Sequence, residues 1–131
     1  MADANEPSIS RHGALTGGRP GPPRFSKHVI YNHTLYIAGQ VPYDLTDKSY
    51  KGQTEQVLKL IDTILEEGGS SKKKILKVCS FLRSIDEGAD EYNAAWDAWC
   101  DRENLPVRTT IEAKLMSPEF LVEIDIVAAV Q

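Results

Sequence analysis

Gln53-Thr54-Glu55-Gln56-Val57-Leu58-Lys59-Leu60-Ile61-Asp62-Thr63-Ile64-Leu65-Glu66-Glu67-Gly68-Gly69 is the stretch on which the fold turns. Val57, Leu60, Ile61, Ile64 and Leu65 recur at the three- and four-residue spacing of one apolar stripe, which predicts a helix from about Gln53 to Glu67. Gly68-Gly69 supplies a left-handed stop. A helix that is apolar along one side must bury that side against a second layer, so the flanking sequence has to supply a sheet.

Upstream, Val29-Ile30-Tyr31 and Leu35-Tyr36-Ile37 flank Asn32-His33-Thr34, the pattern of two short strands joined by a tight turn; Gly39-Gln40-Val41-Pro42 ends the second. Downstream, Ile75 to Leu82 is rich enough in Val, Ile, Leu and Phe to be a buried strand. A second helix is predicted from about Glu87 to Cys100, with Asp86 as its cap and Tyr92, Ala95, Trp96 and Trp99 as its apolar face. Pro106 opens a strand of about Val107 to Lys114, Ser117-Pro118 breaks the chain, and Leu121 to Val130 alternates as the last strand. The order β-β-α-β-α-β-β predicts an α+β, two-layer domain: one mixed sheet covered by two helices on one face. Its other face stays partly apolar, which points to oligomerisation through it. Residues 1–24, with five Gly or Pro between Gly17 and Pro22 and few apolar side chains, read as a mobile N-terminal arm, and residues 25–131 as the domain.

Nineteen acidic against fifteen basic residues give a formal charge of -4, a poor electrostatic footprint for nucleic acid. No apolar run approaches the roughly 20 residues that span a bilayer, and the acidic start lacks the apolar core of a secretory signal. Cys79 and Cys100 are too isolated for a disulfide framework or a metal site, so a reducing, cytoplasmic setting is expected. His12, His28 and His33 form no metal-ligand pattern, and no phosphate-cradling loop or nucleophile elbow occurs.

What remains is a set of charged residues embedded in strands. By alternation Arg108, Thr110 and Glu112 share one face, and Val107, Thr109 and Ile111 the other. A guanidinium held on a sheet is a rigid fork suited to a carboxylate, and Thr110 offers a hydroxyl beside it; equally, Arg108 pairs structurally with Glu112 or Glu123. Glu123 in Leu121-Val122-Glu123-Ile124 serves as a proton acceptor if its surroundings raise its pKa, or simply faces solvent on an edge strand. Asn93 is a core hydrogen-bonder or a substrate contact. Trp96 and Trp99 read as core or interface anchors, and Gly39-Gln40 as a strand end approached closely by a ligand or a second subunit. If the last two strands form a hairpin about Ser117-Pro118, Arg108 lies opposite Ile126 or Val127, and Glu123 falls roughly 10–14 Å along the strand.

Four segments resemble the RidA/YjgF (reactive intermediate deaminase, endoribonuclease L-PSP-like) family. They are Leu35-Tyr36-Ile37-Ala38-Gly39-Gln40-Val41-Pro42, Gln53 to Gly69, Pro106-Val107-Arg108-Thr109-Thr110-Ile111-Glu112 and Leu121-Val122-Glu123-Ile124-Asp125. The match covers about residues 25–130. It implies the chorismate-mutase-like fold, a homotrimer with clefts between subunits, and cofactor-free hydrolysis of 2-enamino and 2-imino acids to 2-keto acids and ammonia. Carried over, Arg108 binds the substrate carboxylate and Glu123 activates water, with Asn93, Thr110, Phe25, Ala38 and Gly39 around them. The family's Tyr, Ser and Cys are here Phe25, Ala38 and Thr110, and Arg24-Phe25-Ser26 with Ala95-Trp96-Asp97-Ala98-Trp99 resembles a divergent branch. A non-catalytic protein that binds small carboxylates is the alternative; a ribonuclease or translation inhibitor fits the acidic balance less well.

Overall fold

The structure, a computed structural model, describes residues 7–131. Its elements run β1 (Ser10–Leu15), β2 (Phe25–Tyr31), β3 (Thr34–Gln40), α1 (Tyr50–Glu67), β4 (Ile75–Leu82), α2 (Ile85–Trp99), β5 (Val107–Glu112) and β6 (Val122–Ala129). The strands form one mixed sheet in the order β1-β2-β3-β6-β4-β5, antiparallel except for the parallel pair β4–β5, which α2 connects. Both helices contribute to a single core against one sheet face. The expected two-layer α+β architecture is present, with one more strand at its start.

Pattern explains most of this. Along β6, Val122, Ile124, Ile126 and Ala128 are buried under the helices while Glu123, Asp125 and Val127 point to the open face. Val57, Leu58, Ile61, Ile64 and Leu65 of α1 are buried against them. Each fully buried Leu, Ile or Val contributes about 1.5–3 kcal/mol over leaving it in water. The β2–β3 turn is two residues long, and Asn32 and His33 both take positive φ (48° and 62°), the geometry that suits the twist of paired strands.

The helix starts differ from expectation for a local reason. Ser49 accepts from Gly52 N at 3.0 Å, so α1 begins at Tyr50 rather than Gln53. Ser84, not Asp86, caps α2 by accepting from Glu87 N at 3.2 Å, which leaves Asp86 and Glu87 in the first turn, where the helix dipole favours them. Gln53 is fully buried, and its side chain does something else. Its amide donates to the carbonyls of Asp47 and Glu119 at 3.0 Å each and accepts from Leu121 N at 2.8 Å, tying α1 to the chain entering β6.

Two expectations are corrected. The stretch read as a mobile arm is ordered from Ser10: β1 pairs with β2 from Ser10↔Ile30 to Leu15↔Phe25. Its first six residues lie outside the described residues. The side chains of β1 stay largely exposed, so no apolar alternation marks the strand, and backbone pairing holds it. The Gly/Pro run that follows is a tight loop in which Gly17, Gly18 and Gly21 take φ of 80°, 80° and 128°, values that disfavour any side chain. Nor do the last two strands form a hairpin. β4 lies between them, with Val78 paired to Arg108 on one side and to Ile126 on the other.

Candidate functional site

Arg108 lies on the helix-covered face of the sheet. Its register partner Val78 is fully buried beneath α2, and its guanidinium stacks 5.1 Å from the Tyr92 ring and 5.5 Å from the Trp96 ring. Arg108 Nη2 donates to Asn93 Oδ1 at 2.9 Å. Neither structural partner weighed from the sequence is used. Glu112 accepts from Ile85 N at 3.0 Å at the start of α2, and no carboxylate among the described residues lies within salt-bridge distance of Arg108. Thr110 shares this face, and its hydroxyl is buried without a hydrogen-bond partner. Beneath them the Tyr92 hydroxyl bonds Ser80, whose register partner is Thr110. The result is a guanidinium oriented by an amide and two aromatic faces with its charge uncommitted.

Glu123 lies on the other face. Its register partner is Phe81, three residues beyond Val78 and therefore of opposite orientation. Three residues of rise and two strand spacings put Glu123 and Arg108 roughly 14 Å apart between Cα atoms. Burial pushes the Glu123 carboxyl above its ordinary 4.5, and the neighbouring Asp125 carboxylate adds to the rise. No hydrogen bond from the described residues holds either oxygen. Beside it, β3 bulges between Ile37 and Gln40, and Gly39 packs against the carboxylate so closely that a Cβ there would overlap it.

This second set opens onto a cavity of about 500 Å³ whose walls include Gly17, Arg19, Phe25, Ala38, Gly39 and Phe120. Arg83 secures one side of it, donating from Nε to Phe120 O at 2.8 Å and from Nη2 to Ser117 O at 2.5 Å. The named residues thus fall into two groups within one chain. Arg108, Asn93 and Thr110 gather on the helix side of β5; Glu123, Phe25, Ala38 and Gly39 gather around the cavity on the open face. Another cavity, of about 460 Å³, lies between α1 and α2; Trp99 lines it and donates from Nε1 to Asp62 at 2.9 Å, and it contains no residue of either group.

Residues 19–130 match the model of the Endoribonuclease L-PSP family. The chain belongs to that family. It is 46% identical over 107 residues to the RutC family protein YoaB of Escherichia coli, covering 82% of this chain and 91% of the relative. A RutC family protein of Haemophilus ducreyi is 43% identical over 107 residues, with 82% and 90% covered. Among solved structures, a YjgF family member from Neisseria meningitidis superposes with a TM-score of 0.85 at 34% identity, covering 95% of this chain and 96% of that one. The RidA/YjgF resemblance read from four segments and the fold it implied are both borne out. No helix of the described residues is long and apolar enough to cross a membrane.

Some residues of these two groups escape the sequence reading. Tyr92 and Trp96 read as core, and they are buried, yet they also form the bed on which Arg108 lies. Arg19 and Gly17, expected in a mobile arm, instead wall the cavity. The available signal was the spacing of Gly17, Gly18 and Gly21 ahead of Arg24-Phe25-Ser26, which suits a built turn as well as a tail.

Proposed function

We propose that this protein hydrolyses reactive 2-enamino and 2-imino acids to 2-keto acids and ammonia, in clefts formed between the subunits of a homotrimer. The observation that carries the reading is the separation of Arg108 from Glu123 onto opposite faces, each incomplete alone. A second copy laid on the open face brings the Arg108 group of one chain to the Glu123 cavity of the next. That face is suited to the contact: Tyr36, Val107 and Ile111 are each at least 46% exposed, an apolar surface uncommon on a lone small domain.

The chemistry follows from the groups. Arg108 clamps the substrate carboxylate with its free guanidinium edge while Asn93 fixes its direction. The iminium carbon is already electrophilic, so a positioned water suffices as nucleophile. Glu123 accepts a proton as the water oxygen bonds to carbon, then returns it to nitrogen. The C–N bond breaks as the hydroxyl proton passes to Glu123 and the carbonyl forms; ammonia leaves, taking that proton with it as ammonium. Burial and the Asp125 carboxylate raise this carboxyl above its ordinary range, which makes it a better proton acceptor than a free one. No redox or carrier group enters the balance.

The test is to generate an imino acid with an amino-acid oxidase in the presence of semicarbazide and add the protein. Lower semicarbazone yield with wild type, and none of this effect with Glu123→Gln, supports hydrolysis. A second reading, binding of a small carboxylate without turnover, is favoured by Phe25 and Ala38, which bring no hydroxyl to the cavity. Unchanged semicarbazone yield together with 2-keto acid binding that vanishes in Arg108→Ala selects it.

A further inference from the structure

We propose that the cavity holds a second anion-binding subsite, built around Arg19, and that the preferred ligand is a 2-imino or 2-keto acid with a second carboxylate. The inference rests on the reading above, in which Arg108 of a neighbouring copy takes the first carboxylate. The subsite sits on the β1–β2 loop. Arg24 fastens that loop by donating from Nη1 to Thr16 O at 3.1 Å and from Nη2 to Pro20 O at 2.9 Å, with its own N–H bonded to Leu15 O at 2.7 Å. The turns at Gly17, Gly18 and Gly21 then carry Arg19 back to the cavity wall.

Charge decides what such a wall attracts. Arg19 has no carboxylate partner among the described residues, and Arg24 spends its donors on neutral carbonyls, which leave its charge in place. The one acidic residue on the cavity wall is Glu123, set against two guanidinium groups, those of Arg19 and Arg24. A chain with a formal charge of -4 therefore concentrates positive charge at one opening, which focuses anions there. Size agrees. At about 500 Å³ the cavity lies within the range of roughly 300–1,000 Å³ typical of drug-sized ligands, more than a three-carbon acid occupies. With the first carboxylate on Arg108 and the reacting carbon at Glu123, the substrate side chain has the cavity to itself, and Arg19 is the unpaired charge that meets it.

The experiment measures the affinities of 2-oxoglutarate and 2-oxopentanoate, equal in carbon number and different in the terminal carboxylate, for wild type, Arg19→Gln, Arg108→Ala and the control Lys73→Gln. Wild type is expected to bind the dicarboxylate about 10-fold more tightly or better. Arg19→Gln removes that preference and leaves 2-oxopentanoate affinity within about 2-fold, while Lys73→Gln retains the preference. Equal affinities in wild type, or equal weakening of both ligands by Arg19→Gln, overturns the subsite while Arg108-dependent binding still stands. Absence of binding by either ligand to wild type overturns the functional reading and the subsite with it.

Discussion

Arg108 and Glu123 are separated by a single strand and face opposite ways. Val78 of β4 pairs with Arg108 and points under the helices; Phe81, three residues on, pairs with Glu123 and points to the open face. An odd offset, here three, between two ladder positions turns their side chains to opposite faces, so they do not meet within one chain. Neither residue has the other as its counter-charge.

Asn93 supplies the hydrogen bond that, with the Tyr92 and Trp96 rings, orients Arg108. Arg108→Ala is expected to abolish 2-keto acid binding. Asn93→Ala keeps the charge and loses the bond at 2.9 Å, so affinity should fall roughly 10-fold, about 1.4 kcal/mol. Calorimetric titration distinguishes these. Unchanged affinity in Asn93→Ala removes the orienting role.

Gly39 is sized by Glu123. Gly39→Ala places a methyl where the carboxylate lies, so the Glu123 side chain has to swing away from its present position. We expect turnover to fall at least about 10-fold with a smaller change in the affinity for 2-keto acids, since Arg108 is untouched. Full activity in Gly39→Ala would place the reacting carbon elsewhere.

The layers, both helices and the alternation of β6 were legible because apolar periodicity and burial coincide there. The face shared by Arg108 and Thr110 was legible from strand alternation alone, since β5 is exposed along most of its length. β1 was not, since an exposed edge strand is held by backbone pairing that leaves no side-chain period. The relation between Arg108 and Glu123 was not, because a hairpin about Ser117-Pro118 and a β4 inserted between the strands leave identical local patterns. Only long-range pairing separates them.

Gln53 secures the entry to β6. Gln53→Met keeps the volume and leaves Leu121 N–H and the carbonyls of Asp47 and Glu119 without partners. A cost of about 2–3 kcal/mol is expected, seen as a fall in Tm of roughly 10 °C. A change under about 3 °C contradicts that role.

His28 makes stability depend on pH. Its ring is 5% exposed and stacks on His12 at 4.6 Å, with Lys27 beside it and Glu67 of α1 nearby. Burial, with help from His12 and Lys27 and against Glu67, holds its pKa below the ordinary 6.5. The unfolded chain therefore takes up the proton first, so the contribution is intact above pH 6.5 and is lost as pH falls through that value toward the folded pKa. Tm should decline on acidification below pH 6.5, and His28→Phe should flatten the profile. A profile identical to wild type in His28→Phe assigns the dependence to other groups.

The most direct measurement mixes two defective proteins. Arg108→Ala and Glu123→Gln are each expected to be inactive as homotrimers. After subunit exchange at equal amounts, verified by native mass spectrometry, a cleft regains both residues when the Arg108 side comes from one variant and the Glu123 side from the other. Statistical assortment then restores about a quarter of wild-type imino-acid hydrolysis. Recovery near that level is the predicted result; an exchanged mixture as inactive as its parents contradicts the cleft between copies.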